Sequence, residues 1–257
     1  MEKIIEYFIA NPAGNITAFV VSSVERENYK VIANKLFEIR ELGIEQVGFI
    51  KDDKMEMCGQ EFCGNASRSY GLYLAKQKNL KGEHAIEIKV SGSDTPLQVI
   101  VNTDTNYTKI EMPLPVKTIN YKGVKSGLLI DFEGIMHLIL NDVPADDKLF
   151  EILKKDINDR YAPPAMGVMF YDSSSETLTP VVYVKDVDTT YYEGSCGSGS
   201  TALACALSDN LDDGCYVFSI KQPAGTIIAS TEVKNKKIHK VFIEGPVDLS
   251  EIFKLVI

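Results

Sequence analysis

Cys63-Gly64-Asn65-Ala66-Ser67-Arg68-Ser69-Tyr70-Gly71-Leu72-Tyr73-Leu74-Ala75 has a near copy roughly half a chain later: Cys196-Gly197-Ser198-Gly199-Ser200-Thr201-Ala202-Leu203-Ala204-Cys205-Ala206-Leu207-Ser208. In both, Cys, Gly, a small polar residue, a small residue and Ser recur in register ahead of an apolar run. Either segment alone is a weak motif, but the duplication makes chance a poor explanation. The pair predicts two lobes, each with one cysteine at the start of a helix.

Outward from these segments, the same order of elements reads twice. In the first half, Ile4 to Ile9 and Thr17 to Ser22 read as strands around the turn Asn11-Pro12-Ala13-Gly14-Asn15. A helix is expected over about Glu27 to Leu42, where Tyr29, Ile32, Leu36 and Ile39 recur at helical spacing, with Gly43 placed to stop it. Short strands at Val47 to Ile50 and Met55 to Met57 lead into the first Cys helix, which runs to about Gln77. Alternation at Ile86, Ile88, Val90 and again at Leu97, Val99, Val101 predicts a hairpin-like pair with one wet face.

Pro113 and Pro115 break the pattern and mark the expected linker. Beyond it, strands are expected near Gly127 to Asp131 and Met136 to Leu140, then a helix over Ala145 to about Asn158. Strands near Val168 to Tyr171 and Pro180 to Lys185 precede the second Cys helix, and three more follow at Cys215 to Lys221, Thr226 to Val233 and Lys240 to Glu244. The resulting fold class is α+β, with two pseudo-symmetric lobes. The expected boundaries are 1–115 for the lobe carrying Cys63 and 116–248 for the lobe carrying Cys196, with a C-terminal strand at about 249–257 returning to the first.

Composition narrows the partners. The chain has 257 residues, of which 45% are apolar and 25% charged, the balance of an ordinary folded domain. A formal net charge of -9 argues against a nucleic-acid partner, whose phosphates require clustered Lys and Arg. Five cysteines without disulfide-like spacing point to free thiols in a reducing compartment. Met1-Glu2-Lys3 opens neither a signal-peptide core nor a spanning apolar run, so a cytoplasmic protein without a membrane partner is expected. No cofactor is expected, and the absence of CxxC or Cys/His spacing of the zinc type argues against a metal.

A thiol at a helix N-terminus meets unsatisfied backbone N–H groups and the positive end of the helix dipole, both of which favour a thiolate. The same groups suit a substrate carboxylate. Two such ends facing each other would hold one α-amino acid between Cys63 and Cys196, one sulfur removing the α-proton and the other donating one. A cysteine nucleophile would instead need a histidine, and none of His84, His137 and His239 stands in a recognisable motif with a cysteine. For Cys58, Cys205 and Cys215 the expectation remains a buried apolar filler.

These residues resemble the diaminopimelate epimerase family of cofactor-independent racemases, which carry Cys-Gly-Asn-Gly-Ala-Arg and Cys-Gly-Thr/Ser-Gly around two catalytic cysteines. Cys63-Gly64-Asn65-Ala66-Ser67-Arg68 and Cys196-Gly197-Ser198-Gly199 match in type and order. Gly14-Asn15 and Glu45-Gln46 look like the family's Gly-Asn turn and Asp-Gln pair. The resemblance implies two lobes, each a β-barrel-like sheet around a central helix. It also implies Cys63 and Cys196 as catalytic residues, with Asn15, Gln46, Gly64, Asn65, Gly197 and Ser198 binding an amino-acid substrate.

The departures bear on the substrate. Val187-Asp188 stands where diaminopimelate epimerases have a Glu-Arg pair for the distal end of their substrate. Gly-Asn-Pro-His becomes Gly134-Ile135-Met136-His137, and an Asn becomes Gly167. A distal charge left buried and unpaired would cost several kcal/mol, so diaminopimelate is expected to be a poor substrate. This set of departures resembles the histidine racemases of opine-metallophore pathways. Glu61 and Glu193, just before the two cysteines, are candidate contacts for an imidazole or ammonium group, although solvated or capping carboxylates are equally expected there. A diaminopimelate epimerase with an altered distal pocket and a non-catalytic amino-acid-binding module remain the alternatives, and a homodimer remains a candidate assembly.

Overall fold

The computed structural model describes residues 4–185 and 188–257. The readings of Met1-Glu2-Lys3 and of Val187 concern residues outside that range. The chain forms two units: the first runs to Glu111 and takes up the chain again at Glu244–Ile257, and the second is Met112–Ile243. Each combines sheet with few helices, and both are built on the same physical necessity. A parallel strand pair cannot be joined by a tight turn and needs a crossover segment, usually a helix.

In the first unit β1 (Ile4–Asn11) pairs antiparallel with β2 (Thr17–Val20), which pairs parallel with β3 (Gln46–Lys51). The crossover is α1 (Tyr29–Phe37), which buries Tyr29, Ile32, Ala33 and Leu36. β3 then pairs antiparallel with β4 (Lys54–Met57), and β4 pairs parallel with β5 (Glu83–Val90). This second crossover is α2 (Gly64–Gln77), whose N-cap is Cys63. β5, β6 (Leu97–Asn102) and β7 (Tyr107–Met112) follow as an antiparallel meander. Ile5, Tyr7, Val20, Ile32, Leu36 and Phe49 centre one apolar cluster of this unit.

The second unit opens with β8 (Lys117–Lys122), paired antiparallel with β9 (Ser126–Asp131), which pairs with β10 (Met136–Asn141). β10 runs parallel to β11 (Ala165–Asp172), and α3 (Asp147–Tyr161) crosses between them. Asp146 caps α3, its carboxylate accepting from Leu149 N–H at 2.8 Å. β11 pairs antiparallel with β12 (Thr177–Val184), and β12 with β13 (Thr189–Tyr192). α4 (Gly197–Leu207), with Cys196 as N-cap, carries the chain to β14 (Gly214–Gln222), which meets β12 in parallel at Thr177 and Lys221. β15 (Gly225–Lys234) and β16 (Lys237–Pro246) follow. In both units, then, the second parallel pairing is spanned by the helix that begins at a cysteine.

The last strands, β17 (Asp248–Leu249) and β18 (Phe253–Val256), pair antiparallel with β1. Several details, β13 among them, depart from the sequence reading. The helix expected over Glu27 to Leu42 is broken into a 3-10 turn at Arg26–Asn28, α1, and a second 3-10 turn at Arg40–Leu42. Ile39 leaves the helical region at φ -82°, ψ 76°, which lets Ile39 and Leu42 pack on the same apolar cluster as α1. β8 escapes a reading by period because only Tyr121 is fully buried in it. β7 does alternate, burying Thr108, Ile110 and Met112, but it runs straight into Pro113.

The two Cys helices are buried by different means. α4 buries Ala202, Leu203, Ala204 and Cys205, as its apolar composition demands. α2 buries Asn65, Ser67, Arg68 and Ser69 along with Tyr70 and Leu72; Asn65, Arg68 and Ser69 form hydrogen bonds, whereas Ser67 Oγ, Arg68 Nη2 and Tyr70 Oη have no partner among the described residues.

Candidate active site

Around Cys63 the first unit assembles a polar network from three elements. Cys63 is extended (φ -128°, ψ 112°), so its side chain can turn back over the helix, where Sγ accepts from Ala66 N–H at 3.4 Å. The thiol lies 3.1 Å from Gln46 Oε1 on β3 and donates to it. Two residues on, Asn65 donates through Nδ2 to Asn15 Oδ1 at 3.4 Å, and Asn15 donates to Glu45 Oε2 at 2.9 Å. Gln46, Gly64, Asn65 and Asn15 thus lie with Cys63 in one network at the start of α2.

Beneath them lies Arg68, which was read only as part of the motif. Its guanidinium is fully buried and donates from Nε to Asn65 Oδ1 (3.2 Å), and from Nη1 to Thr108 Oγ1 (3.3 Å), Gly245 O (2.9 Å) and Pro246 O (3.3 Å). No carboxylate among the described residues pairs with it. Burial pulls this cation down to about 10, an effect opposed by negative charge at Cys63 and Tyr107. Glu61 behaves differently from its neighbours. Its carboxyl is turned back onto the backbone N–H groups of Gly59 and of Glu61 itself, and crowding by surrounding protein, which outweighs those bonds, pushes its pKa up.

Around Cys196 the second unit builds a tighter enclosure. The residue has the same extended conformation (φ -120°, ψ 112°), and Sγ accepts from Gly199 N–H at 3.3 Å. Its backbone N–H donates to Gln222 Oε1 at 2.7 Å. Gln222 Nε2 in turn donates to Ser200 Oγ at 2.9 Å, and that hydroxyl donates to Cys196 O at 2.7 Å. Ser198 Oγ lies 3.5 Å from Sγ, and Glu193 is hydrogen-bonded to the thiol. Gly197, Ser198 and Glu193 therefore gather at Cys196. Gln222 comes from the end of β14, and nothing in its sequence context announces it.

One expectation needs correction. The helix N-terminus was expected to favour a thiolate, yet the Cys196 thiol is pushed well above its ordinary pKa. Burial is the largest cause, and the negative charge of Glu193 and its hydrogen bond add to it. Ser198 and Gly199 N–H pull the other way but do not win. The Gly199 N–H of the first helical turn does favour the thiolate, but a fully desolvated sulfur facing a carboxylate loses more than that donor and Ser198 return.

A cavity of about 530 Å³ in the second unit is lined by Asn120, Lys122, Leu128, Leu203 and Leu207. It opens at the C-terminal end of α4, the opposite end from Cys196, and takes no part in the chemistry around the sulfur. Asp188 follows β12 and accepts from Tyr183 Oη at 3.0 Å. Among the described residues no helix is long and apolar enough to cross a membrane.

Comparison with known proteins completes this description. The sequence pattern of the histidine racemase CntK N-terminal domain matches residues 4–252. The chain belongs to the histidine racemase family. A histidine racemase of Fusobacterium nucleatum is 36% identical, over 96% of this chain and 94% of its own length. One from Staphylococcus aureus is 28% identical, over 95% of each. In fold this racemase is similar to a hydroxyproline epimerase from Agrobacterium vitis, with a TM-score of 0.68 at 11% identity, covering 99% of this chain and 93% of that one. Membership makes the chain an isomerase, with a small amino acid as its partner. The lost distal landmarks, Val187-Asp188 and Gly167, agree with a branch separate from diaminopimelate epimerases.

Proposed function

We propose that the protein racemises histidine by proton exchange at the α-carbon, without a cofactor, using Cys63 and Cys196 as an acid–base pair. The observation that carries this reading is the paired occurrence of a cysteine at the N-cap of a central helix, once in each unit, in a chain of the histidine racemase family. We further read the two units as repeated, barrel-like lobes that each contribute one half of the pair. The free backbone N–H groups at the starts of α2 and α4 suit the substrate carboxylate. We read Asn15, Gln46, Asn65 and Ser198 as the polar groups that orient it.

The chemistry balances without another reactant. One sulfur, as thiolate, takes the α-proton and leaves the electron pair on the α-carbon, and the opposite thiol delivers its own proton to the other face. Cys196, held protonated by burial, enters as the donor, and Cys63, once it has given up the proton it shares with Gln46 Oε1, as the base. After one turnover the proton has moved from Cys196 to Cys63, and the swapped form acts on the other enantiomer or resets by exchange with water.

The test is incubation of L-histidine with the protein in D2O, followed by chiral chromatography and mass spectrometry. Deuterium at the α-carbon with D-histidine appearing is expected, and Cys63→Ser or Cys196→Ser abolishes both. Exchange of diaminopimelate in preference to histidine would move the protein to an epimerase of altered pocket. A melting shift with histidine but no α-proton exchange for any amino acid would make it a binding module.

A further inference from the structure

Arg68 has no part in the scheme above, yet among the described residues it is the one lysine or arginine that is buried. Every acceptor it uses is neutral: Asn65 Oδ1 from Nε, and Thr108 Oγ1, Gly245 O and Pro246 O from Nη1. Nη2 is buried too, and no partner meets it among the described residues. A guanidinium can only donate, and a buried charge without an opposite charge is strongly destabilising. Hydrogen bonds alone would be met at lower cost by a neutral side chain. The charge itself has no counterpart in the resting protein.

The ionisable groups of the elements around Arg68 are engaged elsewhere, with one exception. Glu45 lies at the far end of an amide relay, accepting from Asn15, which accepts from Asn65. Glu61 is turned onto the backbone N–H groups of Gly59 and of Glu61 itself. Glu244 pairs with Lys109 at 3.5 Å and is hydrogen-bonded to Tyr107, whose phenol is held protonated by burial and by that carboxylate. Cys63 remains. Side chains of an α-helix lean toward its N-terminus, and the bond from Nε to Asn65 shows Arg68 doing so, three residues back along α2. That carries the guanidinium toward the turn capped by Cys63, whose Sγ lies over Ala66 N–H. Negative charge at Cys63 favours the cation more than negative charge at Tyr107 does. Such coupling is reciprocal, so the cation favours charge on the sulfur to the same degree.

We propose that Arg68 is a positioning residue that acts through Cys63: its buried charge, which no carboxylate neutralises, is the standing counter-charge of the Cys63 thiolate. This rests on the reading of Cys63 as an acid–base group. In the resting protein the thiol donates to Gln46 Oε1. When that S–H bond breaks, its electron pair stays on sulfur and the proton passes to water. The thiolate then takes the α-proton, the C–H electron pair stays on carbon, and Arg68 keeps all its protons throughout. The charge that acts on Cys196 has the opposite sign, the carboxylate of Glu193. One sulfur is thus biased toward base and the other toward donor.

Alkylation reads the sulfur without turnover. Intact protein is treated with iodoacetamide at one neutral pH, and the rates at Cys63 and Cys196 are followed by peptide mass spectrometry. Helix rise from residue 63 to residue 68 sets a separation of about 7 Å, where at an effective dielectric of about 20 the charge changes the thiolate population about 10- to 100-fold. A more basic sulfur attacks faster, which offsets part of this change, so Arg68→Met and Arg68→Gln should slow Cys63 about 3- to 10-fold. Cys196 keeps its rate. Arg68→Lys, which retains the charge but loses the fork of donors, should recover most of the Cys63 rate. An unchanged or faster Cys63 in Arg68→Met overturns the proposal, and if that variant does not fold, the same result in Arg68→Gln does so. Arg68→Lys as slow as Arg68→Gln overturns it too, because hydrogen bonding and not charge would then carry the effect. Cys63→Ser with full racemase activity would remove the parent reading and this one with it, a result separable from the alkylation rates.

Discussion

Substituting alanine at Gly92 tests how the start of α2 is held in place. Gly92 has φ +70°, and a Cβ built there would stand 2.2 Å from Phe62 N, 2.7 Å from Phe62 Cβ and 2.8 Å from Glu61 C. Those are atoms of the two residues immediately before Cys63, mostly backbone, so the clash is relieved only by moving the segment that carries the thiol. Ser91 resists that movement: its hydroxyl donates to Glu61 O at 2.8 Å and accepts from Met57 N–H at 2.9 Å. Gly82 supplies the control, because it has φ +76° and nothing within 4 Å of its built Cβ. Both variants incur the left-handed penalty of about 1–2 kcal/mol. Only Gly92→Ala adds overpacking, about 1–3 kcal/mol. At roughly 2–4 °C per kcal/mol for a chain of this size, Gly92→Ala should lower Tm by about 4–20 °C and Gly82→Ala by about 2–8 °C. A displacement of about 1 Å at a reacting group lowers turnover on the order of 100-fold, so kcat for histidine should fall in Gly92→Ala and hold in Gly82→Ala. Thermal melts and deuterium exchange at the α-carbon measure the two effects. Equal Tm losses in both variants, or full kcat in Gly92→Ala, would refute the reasoning.

His137 gives stability an acid limb. Its folded pKa of about 3 lies below the ordinary 6.5, so its contribution is present above about pH 6.5 and is lost as pH falls, at about 1.4 kcal/mol per pH unit. Urea melts between about pH 6.5 and 5 should show a shallower slope in His137→Gln than in the parent, and parallel slopes would count against a neutral buried imidazole. Arg68→Met should lose about 2–4 kcal/mol in urea unfolding, because Gly245 O, Pro246 O and Thr108 Oγ1 lose their buried donor. A parental midpoint would show that water replaces the guanidinium without loss. Gly167→Ala, with its Cβ pressed on His137 Nδ1 and Met169 Cε, should cost about 1–3 kcal/mol in urea unfolding through overpacking. An unchanged midpoint would mean that the ladder yields without moving the ring.

Much of the site's ancestry is legible in single residues. The Cys-Gly starts at 63 and 196 announce helices, and both cysteines do occupy N-caps, because a short polar side chain ahead of bare glycine suits that position. The departures at Gly167 and Val187-Asp188 tell against diaminopimelate, since each removes a group that a distal charge would require, and as a set they resemble those of histidine racemases. Gln222 was invisible: it follows Cys196 by a whole helix and reaches back only because β14 returns beside β12. Arg68 read as one residue of a motif, and its four acceptors come from as far away as Pro246, at separations no local pattern spans.

The amino-acid order by itself determined the family, the racemase chemistry class and where the two Cys helices begin, because these depend on local residue types at fixed spacing. The environment of each sulfur was decided only by the tertiary structure. Cys63 and Cys196 carry nearly the same flanking sequence, yet burial and Glu193 hold the Cys196 thiol protonated against the pull of its helix. Desolvation is a property of everything packed around an atom, and chain separation says nothing about what that packing will be.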